Sequence, residues 1–217
     1  MPNNTINIID CGLKDYQSTL NLQENAHQNL LNGSGKETVF LVEHPPVITL
    51  GARTAENKLK KSPDEIKKSG IDIFQIRRGG AATAHNPGQI VIYPVINLKK
   101  QSLGVSDYVH LLEKIGIEFL AELGLDCCTK KGFPGLWIND RKIASIGVQV
   151  KKWITIHGIA ININNDLSIF DLIVPCGLEN VKMTSVENEL GKKMDINGAK
   201  NILQRILLNY FIHGNPK

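Results

Sequence analysis

Cys176 is the first residue of this sequence whose surroundings point to chemistry. It lies between Pro175 and Gly177, and this setting predicts a stiff, open turn that can present a thiol to a substrate. A free thiol ionises at about pH 8.5, so a nucleophilic role at neutral pH requires a cation or a base beside it. The alternative is a buried, unreactive cysteine, which is the common fate of a lone cysteine.

Lys142 is the candidate for that cation. It opens a predicted strand directly after a turn at residues 139–140, and the small side chains of the segment 144–147 follow it. Small side chains leave open space beside a strand, so a lysine there can be partly removed from water. The alternative is an ordinary solvated lysine on the surface.

The segment from Arg77 to Gln89 is rich in glycine and other small residues and lies between two predicted strands. Its backbone can therefore approach a ligand closely. Arg78 could contact an anionic or carbonyl group, and His85 could donate a hydrogen bond. A solvated hairpin loop is the alternative, and the segment has neither the Walker A nor the GxGxxG pattern of nucleotide sites.

A third segment of interest is the strand Ile156–Asn162, which contains a histidine and a glycine within an apolar pattern. His157 is either a hydrogen-bonded core histidine or a catalytic group, and the first is the more common role. Gly158 predicts the close approach of a ligand or of another backbone.

The elements that position these residues mix helices and strands without β–α–β regularity, which predicts an α+β fold around a mixed sheet. The predicted helices cover Leu13–Leu31, a short stretch from Pro63 after Ser62, Val105–Leu123, and a last segment capped by Asp195. The predicted strands are Thr38–Val42, Val47–Leu50, Ile71–Ile76, Ile90–Leu98, and an antiparallel three-stranded meander over Leu136–Ile163 with turns at 139–140 and 151–152.

The composition is that of a globular chain. Hydrophobic residues make up 42% and charged residues 21% of the 217 residues, which argues against disorder. The net charge of +4 is too small to predict nucleic-acid binding, although it would suit an acidic protein partner. The sequence has no secretory signal, no bilayer-length apolar run, and no CxxC spacing among its four cysteines. We therefore expect a cytoplasmic protein that does not bind membranes.

Taken together, the segments resemble the lipoyl(octanoyl) transferases, or octanoyl-carrier-protein:protein octanoyltransferases. The family pattern reads RGGxxTYHGPGQ, KIASxG, HGxAxN and PCG in this order, and the resemblance spans about residues 40 to 185. The matching residues are Glu43 to Pro46, Thr49 to Gly51, Arg78, Gly79, Gly80, Thr83, His85, Pro87, Gly88, Gln89, Lys142 to Ser145, Gly147, His157, Gly158, Ala160, Asn162, Pro175, Cys176 and Gly177.

The resemblance implies one catalytic domain over residues 1–217, with a fold similar to the catalytic domains of biotin and lipoate protein ligases. It implies that Cys176 takes an octanoyl group from acylated acyl carrier protein as a thioester, and that Lys142 supports the thiolate. The acyl group then passes to a lysine of a lipoyl domain, in a 2-oxo acid dehydrogenase complex or in the glycine cleavage carrier protein. No cofactor and no metal is implied.

The resemblance also implies an acyl pocket formed by three segments. Its residues are Arg78, Gly79, Gly80, Ala81, Ala82, Thr83, Ala84, His85, Ser145, Ile146, Gly147, His157, Gly158, Ile159 and Ala160. Two positions depart from the family, whose Tyr-His-Gly is Ala84-His85-Asn86 here. The lost aromatic ring removes a packing surface beside the pocket, and asparagine tolerates the left-handed backbone that glycine would adopt. We expect the chain-length preference to depend on these two positions.

Three other functions fit parts of the pattern. An ATP-dependent lipoate or biotin ligase would share the fold but should carry a basic, glycine-rich adenylate motif and needs no cysteine here. A thiol hydrolase would pair Cys176 with His157 and release the free acid. In a non-catalytic carrier-binding module, Cys176 would be incidental. The Pro-Cys-Gly turn favours transfer.

Overall fold

The computed structural model describes residues 6–175 and 181–212, and no helix in these two ranges combines the length and apolarity needed to cross a membrane. The strands are β1 (Asn7–Leu13), β2 (Thr38–Glu43), β3 (Val47–Leu50), β4 (Asp72–Gln75), β5 (Thr83–His85), β6 (Gln89–Val95), β7 (Cys128–Lys130), β8 (Phe133–Ile138), β9 (Arg141–Lys151), β10 (Ile154–Asn162) and β11 (Lys182–Met183). The helices are α1 (Tyr16–Leu31), α2 (Pro63–Lys68), α3 (Val105–Glu122), α4 (Val186–Leu190) and α5 (Ile196–Ile212), with 3-10 helices at Thr54–Glu56 and Leu167–Leu172.

The larger sheet is mixed. Within the described ranges its strand order is β1-β2-β6-β10-β9-β8-β7, and β11 adds to the first residues of β9. β1 lies parallel to β2, and β11 parallel to β9, whereas the other neighbours are antiparallel. The predicted α+β class with a mixed sheet flanked by helices is confirmed.

Strand β6 shows that this sheet is buried on both faces. Ile90 and Ile92 belong to the core that includes α3 and α5, whereas Val91 and Tyr93 belong to the cluster that includes α1. Successive side chains of a strand alternate between its faces, so helices cover the sheet on both sides. A strand buried in this way needs an apolar residue at nearly every position, which is why 90–98 was recognisable in the sequence.

A smaller sheet, with the order β4-β3-β5, lies beside the α1 face. Tyr16 at the start of α1 contacts it twice: its ring centroid is 5.1 Å from that of Phe74 and 6.3 Å from that of His85. The other side of the small sheet packs on α2 and on the 3-10 helix Leu167–Leu172 through Ile48, Ile66 and Phe170. The small sheet thus places β5, and the glycine-rich loop that precedes it, against the α1 face of the larger sheet.

Most of the predicted elements are present with ends shifted by a few residues. The helices α1, α2, α3 and α5 and the meander β8-β9-β10 lie where the periodicity placed them. Ser62 caps α2 by accepting a hydrogen bond from the Glu65 amide, and Asp195 accepts one from the Asn197 amide at the start of α5. These local signals were readable because each acts within one turn of helix.

Four short or edge strands were missed. β1 is an edge strand, half exposed and interrupted by Asp10 and Gly12, so its apolar alternation is weak. β5, β7 and β11 have three, three and two residues. The sequence predicted no strand between Ile76 and Ile90, but β5 lies there because Thr83 and His85 pair with β3. Such short strands form only through long-range pairing.

Lys200 of α5 ties the helix to the first two strands. Its side chain is 5% exposed, and its Nζ lies 3.3 Å from Asp10 Oδ1 and 3.1 Å from Glu43 Oε1. The second carboxylate oxygen of Glu43 accepts a hydrogen bond from the Gly88 amide at 2.9 Å. One ammonium group therefore connects α5, β1, β2 and the turn that leads into β6.

We predict that Lys200→Met lowers the free energy of unfolding by about 2 kcal/mol, because it leaves two carboxylates without their cation. The loss is smaller than for a fully buried pair, since Asp10 stays partly hydrated. Urea denaturation measures the loss in free energy of unfolding. The control is Lys193→Met, an exposed lysine shortly before α5. Equal midpoints for both variants would contradict the role of Lys200.

Candidate active site

Lys142 is buried, with 1% of its surface exposed. Its Nζ donates a hydrogen bond to the Pro134 carbonyl at 3.1 Å and lies 5.2 Å from the centroid of the Trp137 ring. Gly135 makes room for it, because a Cβ there would stand 2.7 Å from the Lys142 Cε. The alternative of a solvated surface lysine is therefore wrong. The strands β8 and β9 hold the ammonium between a carbonyl oxygen and an aromatic face.

Cys176 lies outside the described residues, which stop at Pro175 and resume at Val181. The segments on either side are tied to the fold. The Val174 amide donates to the Lys58 carbonyl at 2.9 Å, and Met183 pairs with Lys142 in the register of β11 and β9. The chain that continues from the Cys176 segment thus returns directly beside Lys142.

Most of the predicted pocket residues surround one space, here called the inner cavity. It lies on the α1 face, among the small sheet, β6, β9 and β10. Its walls are Arg78, Gly80, Ala81, Ala82, Thr83, His85, Val91, Tyr93, Ser145, Ile146, Gly147, His157, Gly158, Ile159 and Ala160. The sequence reasoning missed Val91 and Tyr93, whose place on the α1 face follows from the two-residue period of β6.

Two predicted pocket residues lie elsewhere. Gly79 lines a neighbouring space, and the methyl group of Ala84 packs with Ile48 and Phe170 on the far side of β5. Thr83 and His85 face the inner cavity, so the residue between them faces away. The structure thus does not bring the side chain of Ala84 to the cavity.

Lys142 lines the neighbouring space, here called the outer cavity, which is open to solvent. The two cavities share Gly80, Ile146 and Gly147 as common walls. The remaining lining residues of the outer cavity are Arg53, Glu56, Gly79, Val109, Gly132, Phe133, Pro134, Lys142 and Val148. The buried ammonium is therefore reached from solvent beside the wall of the inner cavity.

Two glycines of the motifs allow backbone segments to approach each other. A Cβ on Gly158 would stand 2.1 Å from the Ile92 carbonyl oxygen, and one on Gly147 would stand 2.9 Å from the Gly79 oxygen. Real Cβ contacts are never so short, so neither position tolerates a side chain. Of the two alternatives for Gly158, a ligand or another backbone, the structure shows the backbone.

Arg78 is buried and acts within the protein. Its guanidinium donates to the Thr49 carbonyl at 2.8 Å and to the Ala81 carbonyl at 2.7 Å. These bonds fix the glycine-rich loop against β3, and the loop is held from the other side by the Gly79 amide, which donates to the Val148 carbonyl at 2.8 Å. The solvated-loop alternative is therefore wrong.

A chain of buried hydrogen bonds fixes the tautomer of His85. The Asn162 amide nitrogen donates to the Thr184 carbonyl at 2.9 Å, so its oxygen must accept from the Gln89 amide nitrogen, at 2.8 Å. The Gln89 oxygen is then left to accept, at 2.7 Å, from His85 Nδ1. His85 is a donor, as expected, but toward Gln89. The nitrogen left for a bound group is Nε2, a hydrogen-bond acceptor.

Asn86 joins the same network. Its Nδ2 donates to the Asp166 carbonyl at 2.8 Å, and its Oδ1 accepts from Asn165 at 3.1 Å. Its φ is not positive, so the tolerance of asparagine for the left-handed region is not needed here. Asn86 thus fixes the chain where it enters the 3-10 helix that precedes the Cys176 segment.

Three imidazoles beside the cavity are buried and neutral. Burial lowers the pKa of His44 to about 4 and the pKa values of His85 and His157 to about 3. His44 donates through Nδ1 to the Lys14 carbonyl and accepts through Nε2 from the Tyr93 hydroxyl. In the described ranges, no group of three or more His, Cys, Asp or Glu is arranged to hold a metal ion.

Comparison with known proteins places these features in a family. Residues 15–207 match the lipoyl protein ligase A/B catalytic domain. An octanoyltransferase of Desulfovibrio desulfuricans is 41% identical over 180 residues, which cover 83% of this chain and 76% of that protein. An octanoyltransferase of Syntrophobacter fumaroxidans is 39% identical over 193 residues, covering 89% and 84%.

Solved structures share the fold. A lipoate-protein ligase A bound with ATP superposes with a TM-score of 0.68 at 17% identity, covering 98% of this chain and 86% of that one. A biotin protein ligase from Aquifex aeolicus in complex with biotin and ATP gives 0.55 at 16% identity, covering 96% and 73%. The expected similarity to the catalytic domains of both ligases is confirmed for the fold.

We predict that acid destabilises the protein through its buried histidines. Between pH 6.5, the ordinary histidine pKa, and about pH 4, the pKa of folded His44, this histidine is protonated in the unfolded chain but neutral in the folded one. The free energy of unfolding therefore falls with falling pH over this window, by about 1.4 kcal/mol per pH unit for each such histidine.

Urea denaturation between pH 4 and pH 7 measures the slope. His44→Gln should reduce the slope of the free energy of unfolding against pH by the contribution of one proton. His110→Gln, at an exposed position of α3, should leave this slope unchanged. Parallel pH profiles for the wild type and His44→Gln would contradict the prediction, whatever the change in absolute stability.

Proposed function

The chain belongs to the lipoyl protein ligase A/B catalytic domain family and is an octanoyltransferase of protein lipoylation, and from this premise we propose the course of its reaction. Cys176 takes the octanoyl group from acylated acyl carrier protein as a thioester. It then passes the group to the ε-amine of a lysine on a lipoyl domain. The acceptors are lipoyl domains of 2-oxo acid dehydrogenase complexes and of the glycine cleavage carrier protein.

The observation that carries this proposal is the burial of Lys142 on the outer cavity, beside the strand that resumes the chain after Cys176. An ammonium in a site with little water interacts strongly with a nearby anion. A thiolate is such an anion, and it forms at lower pH when a cation stands beside it. We therefore assign Lys142 as the partner of Cys176.

The reaction has two balanced steps. In the first, the Cys176 thiolate attacks the thioester carbonyl of the donor, the bond to the pantetheine sulfur breaks, and that sulfur leaves with a proton from Lys142. In the second, the acceptor amine attacks the new thioester, the Cys176 sulfur leaves, and Lys142 takes the proton that the amine loses. The acyl group is already activated as a thioester, so no nucleotide is needed.

The two cavities suit the two kinds of substrate group. The inner cavity is lined mostly by apolar atoms and backbone and would hold the acyl chain. The outer cavity would admit the pantetheine arm and later the acceptor lysine, since both must reach Lys142 from solvent. Gly79 cannot serve the tetrahedral oxyanion, because its amide already donates to Val148, so other backbone amides must do so.

His157 is poorly suited to the hydrolase alternative. Its pKa of about 3 makes the imidazole a weak base at neutral pH, far from the value that suits a general base there. We place the reaction in the cytoplasm, a reducing compartment in which a nucleophilic thiol stays available.

We predict that Cys176→Ala abolishes both the acyl-enzyme and the transfer product, with a loss of at least about a thousandfold in rate. The protein is incubated with octanoyl carrier protein without ATP, and its intact mass is recorded before the lipoyl domain is added. Cys127→Ser is the matched control and should form the adduct normally. Steady release of octanoate would indicate a hydrolase, and an unmodified wild-type protein would indicate a ligase or a binding module.

We predict that Lys142→Met and Lys142→Arg separate charge from proton transfer. Both should lose at least about a hundredfold in transfer rate, because neither side chain exchanges a proton at neutral pH. Alkylation of Cys176 by iodoacetamide should shift to higher pH in Lys142→Met and shift much less in Lys142→Arg, which keeps a cation.

The measurement is the alkylation rate against pH in a Cys11/Cys127/Cys128→Ser background, with melting temperatures as the check on folding. Identical alkylation profiles for all three proteins, together with full transfer by Lys142→Met, would show that Lys142 has no part in the chemistry.

A further inference from the structure

We propose that His157 is the end wall of the acyl cavity and sets the longest acyl chain that the enzyme accepts. The inference rests on the proposed function only in that it takes the inner cavity as the place of the acyl chain. It assigns to His157 a role in specificity and no step in the chemistry.

The position of His157 between two cavities is the first observation. A third space lies between α1 and the hairpin end of β9 and β10. Among the described residues, His157 is the only one that lines both this space and the inner cavity. His157 thus lies between the inner cavity and this third space.

The direction of the cavity is the second observation. On β10, Ala160 lies opposite Ser145 of β9, and His157 lies opposite Val148. Lys142 is three residues from Ser145 but six from Val148, which corresponds to about 10 Å and about 20 Å along the strand. An acyl group whose carbonyl reacts beside Lys142 enters the inner cavity through the wall that the two cavities share, at Gly80, Ile146 and Gly147. Gly147 lies opposite Gly158, so His157 is the next residue of β10 on the side of this entrance that is farther from Lys142.

The backbone of His157 is the third observation. Its φ is +63°, in the left-handed region, although it lies within a strand of nine residues. Its amide donates to the Gln23 side chain of α1 at 2.8 Å, which holds the residue in this conformation. Such strain persists only where the surroundings impose it, and it takes the imidazole out of the regular alternation of the strand.

Within residues 6–175 and 181–212, the imidazole of His157 makes no hydrogen bond that would explain its place. The side chain is 3% exposed, and its Nδ1 is buried without a hydrogen-bond partner among the described residues. Tyr93 packs edge-on against the ring, with centroids 6.3 Å apart. A buried polar ring whose nitrogen is not paired costs stability, so we explain its place by the space that it occupies.

The test shortens this wall without straining the backbone. His157→Gly removes the side chain at a position whose φ favours glycine, and His157→Asn shortens it while keeping a residue that tolerates this region. The ratio of kcat/KM for dodecanoyl to octanoyl carrier protein should rise by at least about tenfold in His157→Gly and by less in His157→Asn. The same order should appear in calorimetric binding of free octanoate and dodecanoate.

The two readouts keep this inference apart from the proposed function. Octanoyl transfer by the wild type tests the function, whereas the ratio between chain lengths in binding tests the wall even if no transfer occurs. Should His157→Gly not fold, the ratio in His157→Asn decides. Unchanged ratios in a folded variant, including an equal fall in kcat for every chain length, would overturn the inference and indicate a chemical or purely structural role.

Discussion

The site depends on keeping an ammonium group out of bulk water. Lys142 is buried where β8 supplies a carbonyl oxygen at Pro134, an aromatic face at Trp137, and open space at Gly135. These contacts lower the cost of burying the ammonium, and an anion beside it would interact with it strongly in a site with little water. Under the proposed function that anion is the Cys176 thiolate, and the pairing of β11 with β9 brings the returning chain to the same place.

A second constraint links the wall of the inner cavity at His85 to the strand that carries Lys142. The chain of amides from His85 through Gln89 and Asn162 ends on the Thr184 carbonyl, and the Thr184 amide donates to the Lys142 carbonyl. Every side chain in it is buried, so each bond must be made, and a single backbone oxygen determines which nitrogen of His85 carries the proton. The network therefore orients the cavity wall and the lysine strand together.

The sequence was informative where a signal is local and where several motifs act together. The helix stripes, the Ser62 cap and the meander turns each operate over a few residues, and the four motifs identified both the family and most walls of the inner cavity. It was not informative about partners far apart in the chain. Arg78 could not be assigned to the Thr49 carbonyl, nor Gly158 to Ile92, because only the folded pairing of strands brings them together.

The motif glycines show why a match of residues does not give their roles. Gly147 and Gly158 stand in motifs implied to bind the acyl chain, yet the atoms that exclude a side chain belong to the protein itself: the Arg78 side chain and Gly79 oxygen at Gly147, and the Ile92 oxygen at Gly158. Their effect on the ligand is indirect: close packing of the loop on β9 and of β6 on β10 defines how narrow the inner cavity is. No side chain can be added at these two glycines without moving a strand. Differences in the length of acyl chain that the enzyme accepts must therefore come from residues that border open space. His157 is such a residue, which is why chain-length selectivity falls to it and not to the glycines.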